Sequence, residues 1–289
     1  MENASYIGRF APSPTGPLHF GSLVAALASY LDARNHDGTW LVRIEDLDPP
    51  RESPHAPGEI LSQLHACGLD WDQEVMYQST RIDAYKAHLN KMADQNVLYP
   101  CICPRKKISG TYPGTCRGRT FSTTDKPYAI RLKLRHRSVT LDDLFVGKIS
   151  YDTETDVGDF IVRRKDELFA YQLAVIVDDC EQEVSHVIRG ADLLSSTPRQ
   201  ILIAEQLSLP VPRYGHLPLV VDRNGIKLSK QTHALPIDTS SPLRTLRFAL
   251  QVLGQDTQDR ATNTKQLLSN ASRQWNRSLV PKENQVHDK

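Results

Sequence analysis

Two loops in this 289-residue chain combine residue types suited to phosphate chemistry. The first runs from Arg9 to Ser22 as RFAPSPTGPLHFGS. Its prolines stiffen the backbone, while Gly16 and Gly21 let it approach a ligand closely. It opens into a stretch with helical spacing, and the free N–H groups of a helix N-terminus favour a phosphate. His19 stands at that junction and can donate to a phosphate oxygen, although an ordinary surface histidine on a strand-to-helix loop has the same local sequence. The second loop, Lys227-Leu-Ser-Lys230, follows the turn Asp222-Arg-Asn-Gly225. Two lysines three apart can neutralise a polyphosphate and follow its charge through in-line transfer. A third group is sulfur: Cys101, Cys103 and Cys116 fall within 16 positions. In a chain with no export signal that clustering points to a metal ahead of a disulfide framework. Cys67 and Cys180 lie in other segments and read as packing residues.

These loops need elements to hold them. Residues 6–10 form a short apolar run ahead of the first loop, and residues 23–34 have helical spacing after it. Trp40, Val42 and Ile44 then alternate with Leu41, Arg43 and Glu45, a strand with one apolar face and one face that turns polar. Strand, loop, helix and strand in that order predict a parallel sheet, whose ligand sits beyond the C-terminal strand ends. Both the 9–22 loop and Glu45 belong there. An α/β texture returns over 158–222: a strand over 159–164, a helix over 171–177 running into Asp178 and Asp179, a strand over 184–189 and a helix over 193–207 with Pro198 near its first turn. Two short amphipathic segments, 243–253 and 264–275, close the chain.

Composition sets the outer bounds. With 39% hydrophobic and 24% charged residues the chain is globular in character. No run approaches the roughly 20 apolar residues of a membrane helix, and the first ten residues lack a signal-peptide pattern. A soluble, cytoplasmic monomer is expected, with no membrane partner. The net charge of +1 conceals an asymmetry: residues 104–137 hold ten Lys/Arg against one acid, and residues 141–192 hold five against thirteen. A basic segment inside a neutral chain leaves a polyanion partner open.

Taken together the blocks are specific. An HxG loop near the N-terminus and a KLSK loop some 200 residues later resemble the HIGH and KMSKS signatures of class I aminoacyl-tRNA synthetases. RFAPSPTGPLH, LVRIEDLD at 41–48, VDD at 177–179 and HVIRGADLLSSTPRQ at 186–200 resemble glutamyl-tRNA synthetases, over residues 5 to about 240. Only about 50 residues follow, too few for the anticodon-reading helical region of those enzymes. The shorter form with a cysteine-bearing insert is similar to the glutamyl-Q tRNA(Asp) synthetase family. That resemblance implies a Rossmann-like α/β class I catalytic domain with a small zinc-bearing insert and a short helical C-terminal segment. The expected division is 1–99 and 141–240 for the two catalytic halves, 100–140 for the insert and 241–289 for the helical segment. It also implies tRNA-independent, ATP-dependent activation of glutamate, with Mg²⁺ on the ATP. The glutamyl group then passes to queuosine at the wobble position of tRNA(Asp). The alternatives are a compact synthetase that charges a tRNA 3′ end and a non-catalytic tRNA-binding paralogue.

Glutamate has two carboxylates and one ammonium, so its pocket needs a fixed cation and a fixed anion. Arginine's planar fork suits a carboxylate. Arg9 and Arg189 end strands that point into one crevice, Glu45 can hold the ammonium, and Tyr171 offers a hydroxyl. The family's amino-acid pocket maps onto Arg9, Ala11, Ser13, Glu45, Tyr171 and Arg189. Its ATP site maps onto His19, Gly21, Ser22 and Lys230, with His19, Lys227 and Lys230 stabilising the transition state. Ser22 replaces the second histidine of the HIGH signature. An Arg9–Glu45 ion pair is the structural alternative to a substrate role. Val175, one turn beyond Tyr171, is expected to face glutamate with an apolar surface and weaken its binding.

The family's zinc site has the form C-x-C…Y-x3-C, which maps onto Cys101, Cys103, Tyr112 and Cys116, with one structural zinc per chain. Zinc prefers four ligands; His136 is the rival for the fourth place on residue chemistry alone. The zinc would clip the basic segment, whose Arg105, Lys106, Lys107, Arg117, Arg119, Arg131, Lys133, Arg135 and Arg137 either contact RNA phosphates or form a solvated face.

Overall fold

The computed structural model describes residues 5–124, 126–221, 236–257 and 260–286. Five parallel strands form the central sheet in the order β10-β9-β1-β2-β3. They are β1 (Ile7–Phe10), β2 (Thr39–Ile44), β3 (Met76–Tyr77), β9 (His186–Gly190) and β10 (Arg213–Leu217). Helices cover both faces. On one, α1 (Phe20–Asn35) packs with α6 (Pro242–Val252) and α7 (Thr264–Gln274) around Leu23, Leu27, Trp40, Val42 and Leu246. On the other, α3 (Ile82–Asp94), α4 (Tyr171–Glu181) and α5 (Thr197–Leu207) bury Tyr85, Leu173, Val187, Ile203 and Tyr214. Two apolar clusters on opposite faces of a parallel sheet are the doubly wound arrangement.

The cysteine-bearing loop hangs from a separate antiparallel sheet of β4 (Leu98–Cys101), β5 (Ala129–Leu132) and β8 (Phe160–Arg163). In its register Cys101 faces Ala129, so the loop closes at its own base. A hairpin of β6 (Ser138–Asp143) and β7 (Gly147–Asp152) follows, and its β6 packs on β10. Gly215 on β10 makes room for this contact: a Cβ there would stand 2.6 Å from the Phe145 ring.

Strand β2 differs from its expected pattern. Trp40, Val42 and Ile44 do enter one core, but Arg43 and Glu45 are buried as well. A parallel central strand has helices on both sides, and its second face looks at α4. The C-terminal segment is tied down by charge: Asp32 of α1 accepts from Trp275 at 2.8 Å and from Arg277 at 2.6 and 2.8 Å, and from the hydroxyl of Tyr6. Among the described residues no helix is long and apolar enough to cross a membrane.

Candidate active site and metal centre

The C-terminal ends of β1, β9 and β10 frame a cleft of about 510 Å³. Arg9, Ala11 and Ser13 line it from the first loop, and His19, Gly21 and Ser22 from the start of α1. Tyr171 and Arg189 close the opposite wall. His19 is the N-cap of α1: its Nδ1 accepts from the Ser22 N–H at 3.2 Å, and its Nε2 lies 2.9 Å from the Ser22 hydroxyl. Accepting at Nδ1 places the proton of the neutral ring on Nε2, where it meets the Ser22 hydroxyl. Lys227 and Lys230 lie outside the described residues. The described flanks of their segment reach the cleft, since Val220 lines it and Pro236 bridges to His19.

Arg9 and Arg189 at this cleft, and the fully buried Arg43 on β2, are held differently. Arg9 donates to Asp179 through two bonds of 3.1 and 3.2 Å, and Arg43 reaches the same carboxylate at 2.7 Å. Burial alone would raise Asp179, but Arg43 and Arg9 outweigh it and hold the carboxyl below its ordinary range. Glu45 does not line the cleft and does not pair with Arg9. It lies 3.5 Å from Arg43, and burial raises it above its ordinary value against the pull of Arg43 and Arg9. The cause is strand parity: Glu45 shares the α4-facing side of β2 with Arg43.

Arg189 is 5% exposed and makes all five of its hydrogen bonds to neutral acceptors. Its Nε donates to His216 at 3.1 Å, one Nη to Thr197 at 2.7 Å and Gln200 at 2.8 Å, and the other to the Tyr171 hydroxyl at 3.3 Å. It forms no ion pair among the described residues. A buried, unneutralised guanidinium at a cleft wall suits an incoming carboxylate. Val175 is a correction to the sequence expectation: it is fully buried and absent from the cleft, because that turn of α4 packs into the apolar cluster shared with α3 and α5. The sequence reading assigned no role to Arg43, His216 or Thr197. Only the Asp-Asp pair at 178–179 stood out, as part of a block without a function.

In the insert the sulfur atoms of Cys101, Cys103 and Cys116 all lie within 4.8 Å of one another. Cys103 and Cys116 are 3.6 Å apart, and the Tyr112 oxygen is 3.4 and 3.6 Å from Cys101 and Cys103. A tetrahedral zinc with bonds of about 2.3 Å to sulfur and about 2.0 Å to oxygen has edges of roughly 3.8 and 3.5 Å. The donor set therefore fits zinc. Hydrogen bonds from the Ile102 backbone, Tyr112 and Cys103 overcome the effect of burial and bring Cys116 down to about 7, favouring thiolate. Burial and the neighbouring thiols raise Tyr112, so its oxygen ionises only against a bound cation. His136 stands apart, 2.9 Å from Asp152, and is not in the group. Two of the basic residues are not free for RNA. Arg131 is buried, stacked 3.7 Å over the Tyr112 ring, and Arg117 forks onto Asp159.

Comparison with known proteins agrees with this layout. The family model described as "tRNA synthetases class I (E and Q), catalytic domain" matches residues 7–112 and 115–251. A protein named glutamyl-Q tRNA(Asp) synthetase from Shewanella oneidensis is 46% identical over 284 residues, covering 97% of this chain and 94% of that one. One of the same name from Cronobacter sakazakii is 48% identical over 286 residues, with 97% and 95% covered. Among solved structures, a glutamate tRNA ligase from Elizabethkingia meningosepticum, in complex with its amino acid, superposes with a TM-score of 0.82. At 24% identity, over 98% of this chain and 67% of that one, it speaks for the fold alone. A near-full-length match at this identity, on this fold, places the chain in the glutamyl-Q tRNA(Asp) synthetase family of class I tRNA synthetases.

Proposed function

We propose that this chain activates glutamate with ATP, without tRNA, and transfers the glutamyl group to queuosine at the wobble position of tRNA(Asp). The observation that carries the reading is Arg189, a cation held by neutral groups across the cleft from the His19 helix N-terminus. Arg189 and Tyr171 take the side-chain carboxylate, Arg9, Ala11 and Ser13 position the rest of the amino acid, and Glu45, set behind the cleft lining beside Arg43, supplies the negative charge that favours the ammonium. The α-carboxylate oxygen then attacks the α-phosphorus of Mg²⁺-bound ATP in line. The P–O bond to pyrophosphate breaks, and a glutamyl-adenylate forms. Negative charge on the phosphoryl oxygens is met by the His19 Nε2–H once it turns from the Ser22 hydroxyl to the phosphate, by the positive end of the α1 dipole at Gly21 and Ser22, and by Lys227 and Lys230. In the second step a hydroxyl of queuosine attacks the acyl carbon and AMP leaves.

One zinc on Cys101, Cys103, Tyr112 and Cys116 would hold the insert in shape and supply no step of the reaction. The exposed Arg105, Lys106, Lys107, Arg119, Lys133 and Arg135 are then the residues for RNA phosphates. The enzyme works as a monomer. Labelled glutamate offered with ATP and two tRNA pools tests the reading. Label confined to the queuosine-containing pool, surviving removal of the 3′ end, is expected. Label in both pools that is lost with the 3′ end would identify a charging enzyme instead. A Lys230→Ala variant with normal ATP–pyrophosphate exchange would remove the lysine assignment.

A further inference from the structure

Arg189 and His216 are direct register partners on adjacent parallel strands, so their side chains leave the sheet on the same face. The Arg189 Nε–H points at His216 Nε2, 3.1 Å away, and can bond only if that nitrogen carries a lone pair. Asp143 ensures that it does. Its Oδ2 takes the His216 Nδ1–H at 2.6 Å, which puts the ring proton on the far nitrogen. Its Oδ1 is itself fixed by the backbone N–H groups of Phe145, Val146 and His216 at 3.0, 3.0 and 3.1 Å. The Thr197 hydroxyl completes the frame, accepting from Arg189 at 2.7 Å and lying 3.0 Å from His216 Nε2. Asp143 and His216 are fully buried and line no part of the cleft.

We propose that Asp143, His216 and Thr197 are positioning residues of the glutamate site, which lock the Arg189 guanidinium in the orientation that receives the substrate carboxylate. Neutral acceptors aim the fork without consuming its charge, whereas Arg9 and Arg43 are aimed by a carboxylate and neutralised by it. Free rotation of Arg189 would spread its donors over several directions and weaken a two-point contact. The hairpin β6–β7 thus contributes to glutamate selection through one residue, Asp143, without touching glutamate.

This inference rests on the reading that Arg189 binds glutamate, and the test separates the two. Glutamate and ATP KM values are measured by ATP–pyrophosphate exchange, and glutamate affinity by calorimetry without ATP. The variants are Arg189→Ala, His216→Leu, His216→Gln and Thr197→Val. Expected is a glutamate KM raised about tenfold in His216→Leu and Thr197→Val, about 1.4 kcal/mol. ATP KM and kcat at saturating glutamate should stay within twofold. His216→Gln, which keeps a carbonyl acceptor for Arg189, should recover to within threefold. If His216→Leu does not fold, Thr197→Val and His216→Gln decide alone. Unchanged glutamate KM in His216→Leu and Thr197→Val, or in Thr197→Val alone where His216→Leu does not fold, with a raised value in Arg189→Ala, overturns the inference and spares the reading. Unchanged KM in Arg189→Ala overturns the reading. A uniform loss of kcat and both affinities means a merely structural pair and also overturns the inference.

Discussion

Arg43 and Asp179, 136 residues apart in sequence, meet at 2.7 Å with both side chains almost wholly shielded from water. Arg9 donates to the same carboxylate, so one anion holds two cations at the floor of the sheet. Removing it leaves Arg9 with no carboxylate partner among the described residues and Arg43 with only Glu45 at 3.5 Å, both in low dielectric. Asp179→Ala should cost about 3–5 kcal/mol and lower the melting temperature by roughly 10 °C. A melting curve matching the unaltered chain would show that the network carries no such weight.

His19 caps α1, and the proposed function gives it a second role as phosphate donor; the two roles can be separated. Asparagine caps a helix well but lacks the imidazole reach. His19→Asn should therefore leave thermal stability within about 1 kcal/mol while lowering ATP–pyrophosphate exchange on the order of a hundredfold. Equal exchange rates would move the phosphate contact elsewhere.

Metal analysis tests the thiol cluster. The unaltered chain should carry one zinc, and Cys103→Ser should fall well below it. Chelation should lower the melting temperature of the first protein and hardly move the second. Identical zinc content in both would exclude Cys103 as a ligand.

Acid should weaken the fold through His186. Burial, reinforced by Arg277 and Arg213, holds this imidazole at about 4, against 6.5 for the free side chain. Between these values the unfolded chain binds the proton and the folded one does not. The contribution is complete above pH 6.5 and shrinks as pH falls toward 4. From pH 7 to 5 the loss should be about 1–2 kcal/mol after allowance for partial solvent contact. His186→Gln should flatten that part of a pH–stability curve measured with urea; an unaltered slope would assign the effect to other groups.

Local spacing revealed the elements and the cleft more readily than the partnerships behind them. The loop from Arg9 to Ser22, the helix after it and the strand ends at Arg9 and Arg189 follow from periodicity and punctuation, which are local properties. Arg189 with Tyr171, and Arg9 with His19, then converge because parallel strands deliver their C-terminal ends to one crevice. The alternation over 40–45 puts Glu45 at the end of β2, but its pairing with Arg43 is not legible there. Which of several arginines an acid meets depends on the helix packed over the strand, and periodicity does not encode that. Val175 failed for a related reason: one turn beyond Tyr171 describes the helix face only if the helix axis is known. His216 was invisible because nothing in RYGHLPL distinguishes a buried hydrogen-bond relay from a core histidine.

The pairing of Cys101 with Ala129 makes the intervening loop a closed handle on a finished sheet. Its two ends stay together whatever lies between them, and lengthening such a loop twofold adds only about 0.6 kcal/mol of closure entropy. The handle can therefore lengthen, shorten or change its charge while the parallel sheet and its cleft keep their geometry. On the proposed function, RNA contact and adenylate chemistry then fall on parts of the chain that natural variation, or an engineer, can alter one at a time.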